Sequence, residues 1–236
     1  MAEMSSTDHG TPSETAESGN ADSRGMIQVW DPFVRIGHWI LVAGFLIAYF
    51  TEGEPAWLHE WAGYAVAITI LLRVVWGFIG SEHARFSDFV RSPVAAWEYI
   101  KGIPAGTAKR FIGHNPAGGL MALALMASLF AASYTGMAMI AQEGEGPLAS
   151  FMGPAATAQV EFIGPAFADD DEYGEYGEGR ERGEGGEAGE QWEELHEFFA
   201  NLTLVLMGLH IMGFITSSFA HNENLVRAMI DGRKRA

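Results

Sequence analysis

His196-Glu197-Phe198-Phe199-Ala200-Asn201-Leu202-Thr203-Leu204-Val205-Leu206-Met207-Gly208-Leu209-His210 is the stretch on which the fold of this chain turns. It is apolar almost throughout, and a histidine stands at each end. Fourteen residues of helix rise about 21 Å and complete almost four turns. Both rings therefore point the same way, near opposite faces of an apolar layer about 30 Å thick. Histidine is costly inside a membrane unless it binds something.

Three further apolar runs, Pro32–Phe50, Ala56–Ile79 and Pro116–Ile140, join the one at Phe198–Phe219. Each is near the length of about 20 residues that crosses a bilayer as a helix. A soluble bundle would show a polar face on every helix, and these show almost none. The expected fold is an all-α integral membrane protein, a bundle of four transmembrane helices spanning residues 26–230. Residues 1–25 are polar, acidic and rich in Ser, Thr and Gly; they lack the apolar core of a signal peptide and read as a disordered tail. Residues 231–236 form a basic tail. The chain has no cysteine, which excludes disulfides, iron–sulfur ligation and covalent c-type haem attachment.

The net charge is −16, but its distribution says more. Twelve of the 14 basic residues flank the first helix, lie at or between the second and third, or follow the fourth. Only Arg180 and Arg182 lie on the other side. The positive-inside rule then places both termini and the middle loop in the cytoplasm, as for a multi-pass protein of the bacterial inner membrane. The middle loop holds Ser92-Pro93-Val94-Ala95-Ala96-Trp97-Glu98-Tyr99-Ile100, which reads as an interfacial helix with aromatic anchors in membrane lipid. The outer connection 141–191 carries Asp169-Asp170-Asp171-Glu172 and then a low-complexity Gly and Glu tract. It reads as a solvated spacer or as a docking surface for a basic extracytoplasmic partner such as a c-type cytochrome. No nucleic-acid partner is expected.

Four histidines fall at two matched depths. His59 and His196 start the second and fourth helices on the outer side; His38 and His210 lie deeper, toward the cytoplasmic face. Topology alone pairs His59 with His196 and His38 with His210. Two imidazoles facing across a gap between helices are the axial ligand set of a b-type haem, so two haem b groups are expected. Gly37, Gly44, Gly63, Gly208 and Gly213 are candidates for giving the porphyrins room. Arg73, fourteen residues after His59, and Arg35, one turn before His38, could each bind a haem propionate or serve as a snorkelling interface cation. His114 opens the third helix in Gly113-His114-Asn115-Pro116, where Asn115 suits a cap and Pro116 the first turn; His114 is also a candidate contact to cofactor.

These residues together resemble a known family. Arg35-x-x-His38-Trp39, His59 with Arg73-Val74-Val75-Trp76-Gly77, Gly113-His114-Asn115-Pro116-Ala117-Gly118, and the His196–His210 spacing are similar to bacterial cytochrome b561 and to the b-type cytochrome subunits of nickel–iron hydrogenase and formate dehydrogenase. The resemblance spans roughly Ile27–Arg227. It implies four helices, two b haems on His38, His59, His196 and His210, and electron transfer between an extracytoplasmic partner and membrane quinone. By analogy it puts a quinone headgroup near His210 and within reach of His114. The partner would be a c-type cytochrome or a hydrogenase or dehydrogenase subunit. The chain would act as an electron-transfer subunit without independent catalytic activity. The acidic Gly/Glu tract and the polar N-terminal tail depart from that family pattern.

The competing expectation is a cofactor-free membrane anchor, or a helical bundle in which the histidines relay protons. A proton path needs polar groups between the two histidine depths. Thr203 is the main candidate on the fourth helix.

Overall fold

The computed structural model describes residues 25–52, 54–151 and 185–235, with backbone alone at 185–188. The N-terminal tail before residue 25 and most of the acidic outer tract lie outside the described residues.

Four helices are long and apolar enough to cross a membrane: α1 (Pro32–Phe50), α2 (Ala56–Ile79), α5 (Pro116–Gln142) and α6 (Gly185–His221). Shorter helices α3 (Phe86–Phe89) and α4 (Pro93–Gly102) lie between α2 and α5, and α7 (Leu225–Asp231) follows α6. Three helix starts share one chemistry, a capping side chain followed by proline. Asp31 accepts from the Val34 amide at 2.9 Å, Ser92 from Ala95 at 3.2 Å and Asn115 from Gly118 at 2.7 Å. Each satisfies an amide that the first turn leaves without an intrahelical partner.

α6 begins at Gly185, inside the tract read as loop. Glu, Ala, Gln and Leu between 187 and 195 are good helix formers, and they extend the membrane helix outward. Trp192 anchors that extension, buried edge-on against Tyr134 of α5.

α1 packs along α2, α5 along α6, and α2 bridges to α5. The core between them holds Phe45, Val66, Ile70 and Leu129, with Leu204 and Met207 against it. Outward, Ile68, Leu71, Phe78, Val205 and Met212 are exposed, an arrangement that lipid tolerates and water does not. Gly44 is a contact glycine: a Cβ there would sit 2.8 Å from Val66 Cγ2. It lets α1 approach α2 and does not open porphyrin space, in contrast to the expectation. Gly37 likewise faces Thr69 of α2. Thr203 is buried and hydrogen-bonds Ser128 Oγ at 2.7 Å and Phe199 O at 2.8 Å. It ties α6 to α5.

Residues before α1 and after α7 meet at one end of the bundle. Strand β1 (Met26–Gln28) pairs antiparallel with β2 (Arg233–Arg235), Ile27 opposite Lys234. Gly232, at φ +80°, makes the turn into β2 after α7, and its carbonyl accepts from both Val29 and Trp30. This pairing puts both ends of the described chain on the same side, as four spans require.

Candidate functional site

At the end of the bundle away from the β1–β2 pairing, expected to be the outer one, His59 of α2 and His196 of α6 face each other with ring centroids 5.9 Å apart and planes at 73°. Their Nδ1 atoms are both occupied. His59 Nδ1 donates to Ala48 O of α1 at 2.8 Å, and His196 Nδ1 donates to Ala132 O of α5 at 2.9 Å. A carbonyl oxygen only accepts, so Nδ1 carries the hydrogen and the neutral ring keeps its lone pair on Nε2. That is the tautomer a metal ligand needs, fixed by a backbone contact of the kind that orients metal-bound histidines. Ala48 O lies in the last turn of α1, where it also accepts from the Thr51 amide at 3.2 Å. His59 thus ties the start of α2 to the end of α1.

Ala132 O is reachable because of Gly136, one turn along α5. A Cβ at 136 would stand 3.0 Å from His196 Cε1 and 3.1 Å from its Nδ1. Sequence reasoning missed this glycine; its only signal was a small residue inside an otherwise bulky Tyr134-Thr135-Gly136-Met137 run.

At the inner end, His38 of α1 and His210 of α6 lie within electrostatic reach of one another, without the ring contact seen in the outer pair among the described residues. His38 packs edge-on against Trp39, 5.4 Å between centroids. His114 lies in the same region. Its ring sits between Trp30 and Phe89, each 4.7 Å away by centroid. Burial pushes the His114 imidazole down to about 3, and the charges of Arg73, His210, Lys234 and His38 push the same way. It is therefore neutral at pH 7, and its buried Nδ1 has no hydrogen-bond partner.

Arg73 shares that condition. Its Nη2 donates to Ala84 O at 3.0 Å, while its buried Nη1 has no partner. Its guanidinium lies over the rings of Phe86 and Phe89 at 5.6 and 5.7 Å. Leaving a charged donor buried without an acceptor is unfavourable, so Nη1 is a donor that an anionic group could satisfy. Arg35 donates from Nη2 to Ile230 O of α7, and its buried Nε likewise has no partner. The structure thus brings His38, His210, Arg73 and His114 to one end and His59 with His196 to the other, and turns Arg35 toward α7.

The donor chemistry narrows what these pairs could hold. No group of three or more His, Cys, Asp or Glu side chains is placed to bind a bare metal ion among the described residues. Each pair offers two imidazoles, so a metal held there must bring its remaining ligands with it, as a porphyrin does. Gly63 and Gly213, each about one turn from His59 and His210, would carry a Cβ into open space, which leaves room beside the histidine-bearing faces. Gly208 is open too but lies on the opposite face of α6 from His210. The residues present therefore fit haem, with Arg73 Nη1 available to a propionate.

A model of the family described as prokaryotic cytochrome b561 matches residues 29–232. Curated relatives are similar at low identity. A probable Ni/Fe-hydrogenase B-type cytochrome subunit of Rhizobium leguminosarum bv. viciae is 28% identical over 141 residues, 47% of this chain and 57% of that protein. The protein of the same description from Azotobacter vinelandii is 29% identical over 144 residues, 49% of this chain and 60% of its own length. That of Azotobacter chroococcum mcd 1 is 28% identical over 125 residues, 40% and 50%. The chain thus spans between 50% and 60% of the length of these relatives. No solved structure matches it.

Proposed function

The chain belongs to the prokaryotic cytochrome b561 family, a multi-pass membrane b-type cytochrome, and from that premise we propose that it holds two b haems and carries electrons across the membrane between an extracytoplasmic redox protein and the quinone pool. The observation that carries this reading is the outer pair. His59 and His196 spend Nδ1 on backbone carbonyls and leave Nε2 free across a 5.9 Å centroid gap.

In this reading His59 and His196 would hold the outer haem, and His38 and His210 the inner one. The haem irons, when bound, supply one-electron chemistry with potentials set by axial ligation, burial and nearby charge. The protein's own part is positional. Ala48 O and Ala132 O hold the outer imidazoles in one tautomer. Arg73 compensates a carboxylate at the inner end. Trp30 and Phe89 keep water from His114, whose neutral ring is available to a haem edge or a quinone headgroup. The names of the relatives favour a hydrogenase subunit as the extracytoplasmic partner, with a c-type cytochrome or a dehydrogenase subunit as the other candidates. The placement of the cations supports a location in the bacterial inner membrane with both termini cytoplasmic.

The cofactor-free proton-relay reading loses its main support. Thr203 is committed to Ser128 and Phe199, so the polar bridge between the two histidine depths is a helix tie. The deciding experiment is a dithionite-reduced minus oxidised visible spectrum of purified protein with haem counted by pyridine haemochrome. Low-spin b-type bands at about two haems per chain support the reading. Absence of haem after expression with ample haem supply overturns it.

A further inference from the structure

We propose that the cavity framed by the α6–α7 turn, α7 and β2 binds the phosphodiester headgroup of an anionic phospholipid. The cavity has a volume of about 540 Å³, within the range of small-molecule sites. Arg227, Arg233, Lys234 and Arg235 line it, against Glu223 and Asp231, so its walls carry two net positive charges in a chain of net charge −16.

The carboxylates are already committed. Glu223 accepts from Arg110 at 2.7 Å and pairs with Lys234 Nζ at 3.3 Å; Lys234, 6% exposed, also donates to Phe111 O. Asp231 pairs with Arg227 at 3.2 Å and accepts from the Arg233 amide. Neither of the other two arginines forms an ion pair with a carboxylate among the described residues, although the Arg233 charge is felt at Asp231. Arg235 is held in place by the carbonyls of Asn222 and His221, and the Arg233 guanidinium has no hydrogen-bond partner among the described residues. Planar guanidinium forks of this kind match phosphate oxygens in pairs.

The setting favours a lipid over a free anion. The opposite face of α7 carries Met229 and Ile230 and borders an apolar groove with Ile36, Trp39 and Ile40 of α1. The cavity also has apolar wall from Met26 and Leu225. α7 therefore lies where the spans end, with its polar side on the cavity and its apolar side continuous with the lipid-facing surface. Basic pockets in that position take anionic headgroups.

The test is native mass spectrometry of the full, haem-loaded protein in mild detergent, offered phosphatidylglycerol or phosphatidylcholine, with millimolar inorganic phosphate as a separate arm. Phosphatidylglycerol should be retained preferentially, and Arg233→Gln should weaken retention about fivefold with the haem spectrum unchanged. Arg233→Lys should restore part of the loss. Lys101→Gln, which removes a cation on α4 outside the cavity, should have no effect. Equal retention of phosphatidylcholine, unaltered retention in Arg233→Gln, or an equal loss in Lys101→Gln would each overturn the proposal. So would inorganic phosphate occupying the cavity in place of lipid.

Discussion

Gly136 of α5 faces the His196 ring of α6 so closely that a Cβ on it would stand 3.0 Å from Cε1. The glycine is what allows His196 to reach the Ala132 carbonyl and fix its tautomer. A methyl group would push the ring by a few tenths of an ångström; a larger side chain would break the 2.9 Å bond to Ala132. Gly136→Leu should therefore lose the outer haem, and Gly136→Ala should weaken its retention about tenfold, the scale on which outer contacts tune metal affinity. Haem content after graded detergent washing is the check. Full retention in Gly136→Leu would show that His196 does not need this position.

Removing the ligands should separate the two ends. His59→Ala or His196→Ala should leave the inner haem, and His38→Ala or His210→Ala the outer one, each dropping haem content by about half. Redox titration of the variants should show one potential in place of two. Loss of both haems from every variant would mean that the two ends do not form independent sites.

How much of this was legible in the sequence depends on the range of the physics involved. The start of α5 was readable because Asn115-Pro116 carries local capping chemistry, and that of α1 from where its apolar run begins at Pro32. The start of α6 was not, since glycines in the acidic tract masked the helix formers that extend it back to Gly185. Depth along the helices placed His59 opposite His196, and the rings do meet. Gly136 and the carbonyls of Ala48 and Ala132 were invisible because each acts on a helix distant in sequence. Gly44 shows the same limit, since only packing reveals that it serves Val66. Three-residue strands such as Met26–Gln28 and Arg233–Arg235 carry no periodic signal, and their pairing joins the two ends of the described chain.

Arg73 should set the inner potential. Its Nη1 is buried and without a partner, beside the end where His38, His114 and His210 gather. If that nitrogen binds a propionate, removing the charge stabilises the oxidised haem relative to the reduced one. Arg73→Gln should then lower one of the two midpoint potentials by about 60 mV, a tenfold change in a one-electron equilibrium, and Arg73→Lys should recover part of the shift. An equal shift at both haems, or none, would remove Arg73 from the inner site.

The terminal clamp should respond to acid. Glu223 links the α6–α7 turn to β2 through Arg110 and Lys234. Burial pushes its carboxyl upward, but the Arg110 hydrogen bond and the Lys234 charge outweigh this and hold it below the usual carboxylate range. A carboxyl depressed in the folded state stabilises fully above its unfolded pKa of about 4.3. That contribution is lost as pH falls through the lower folded value. Amide exchange over residues 222–235 should therefore stay slow at pH 7 and accelerate below about pH 4, once corrected for the intrinsic pH dependence of exchange. Glu223→Gln should bring the loosening to pH 7, because Lys234 would be left buried without its counter-charge, at a local cost of about 3 kcal/mol. Haem content should be unchanged in that variant. Equal protection of β2 in Glu223→Gln and the parent chain at pH 7 would show that the strand pairing alone holds the clamp.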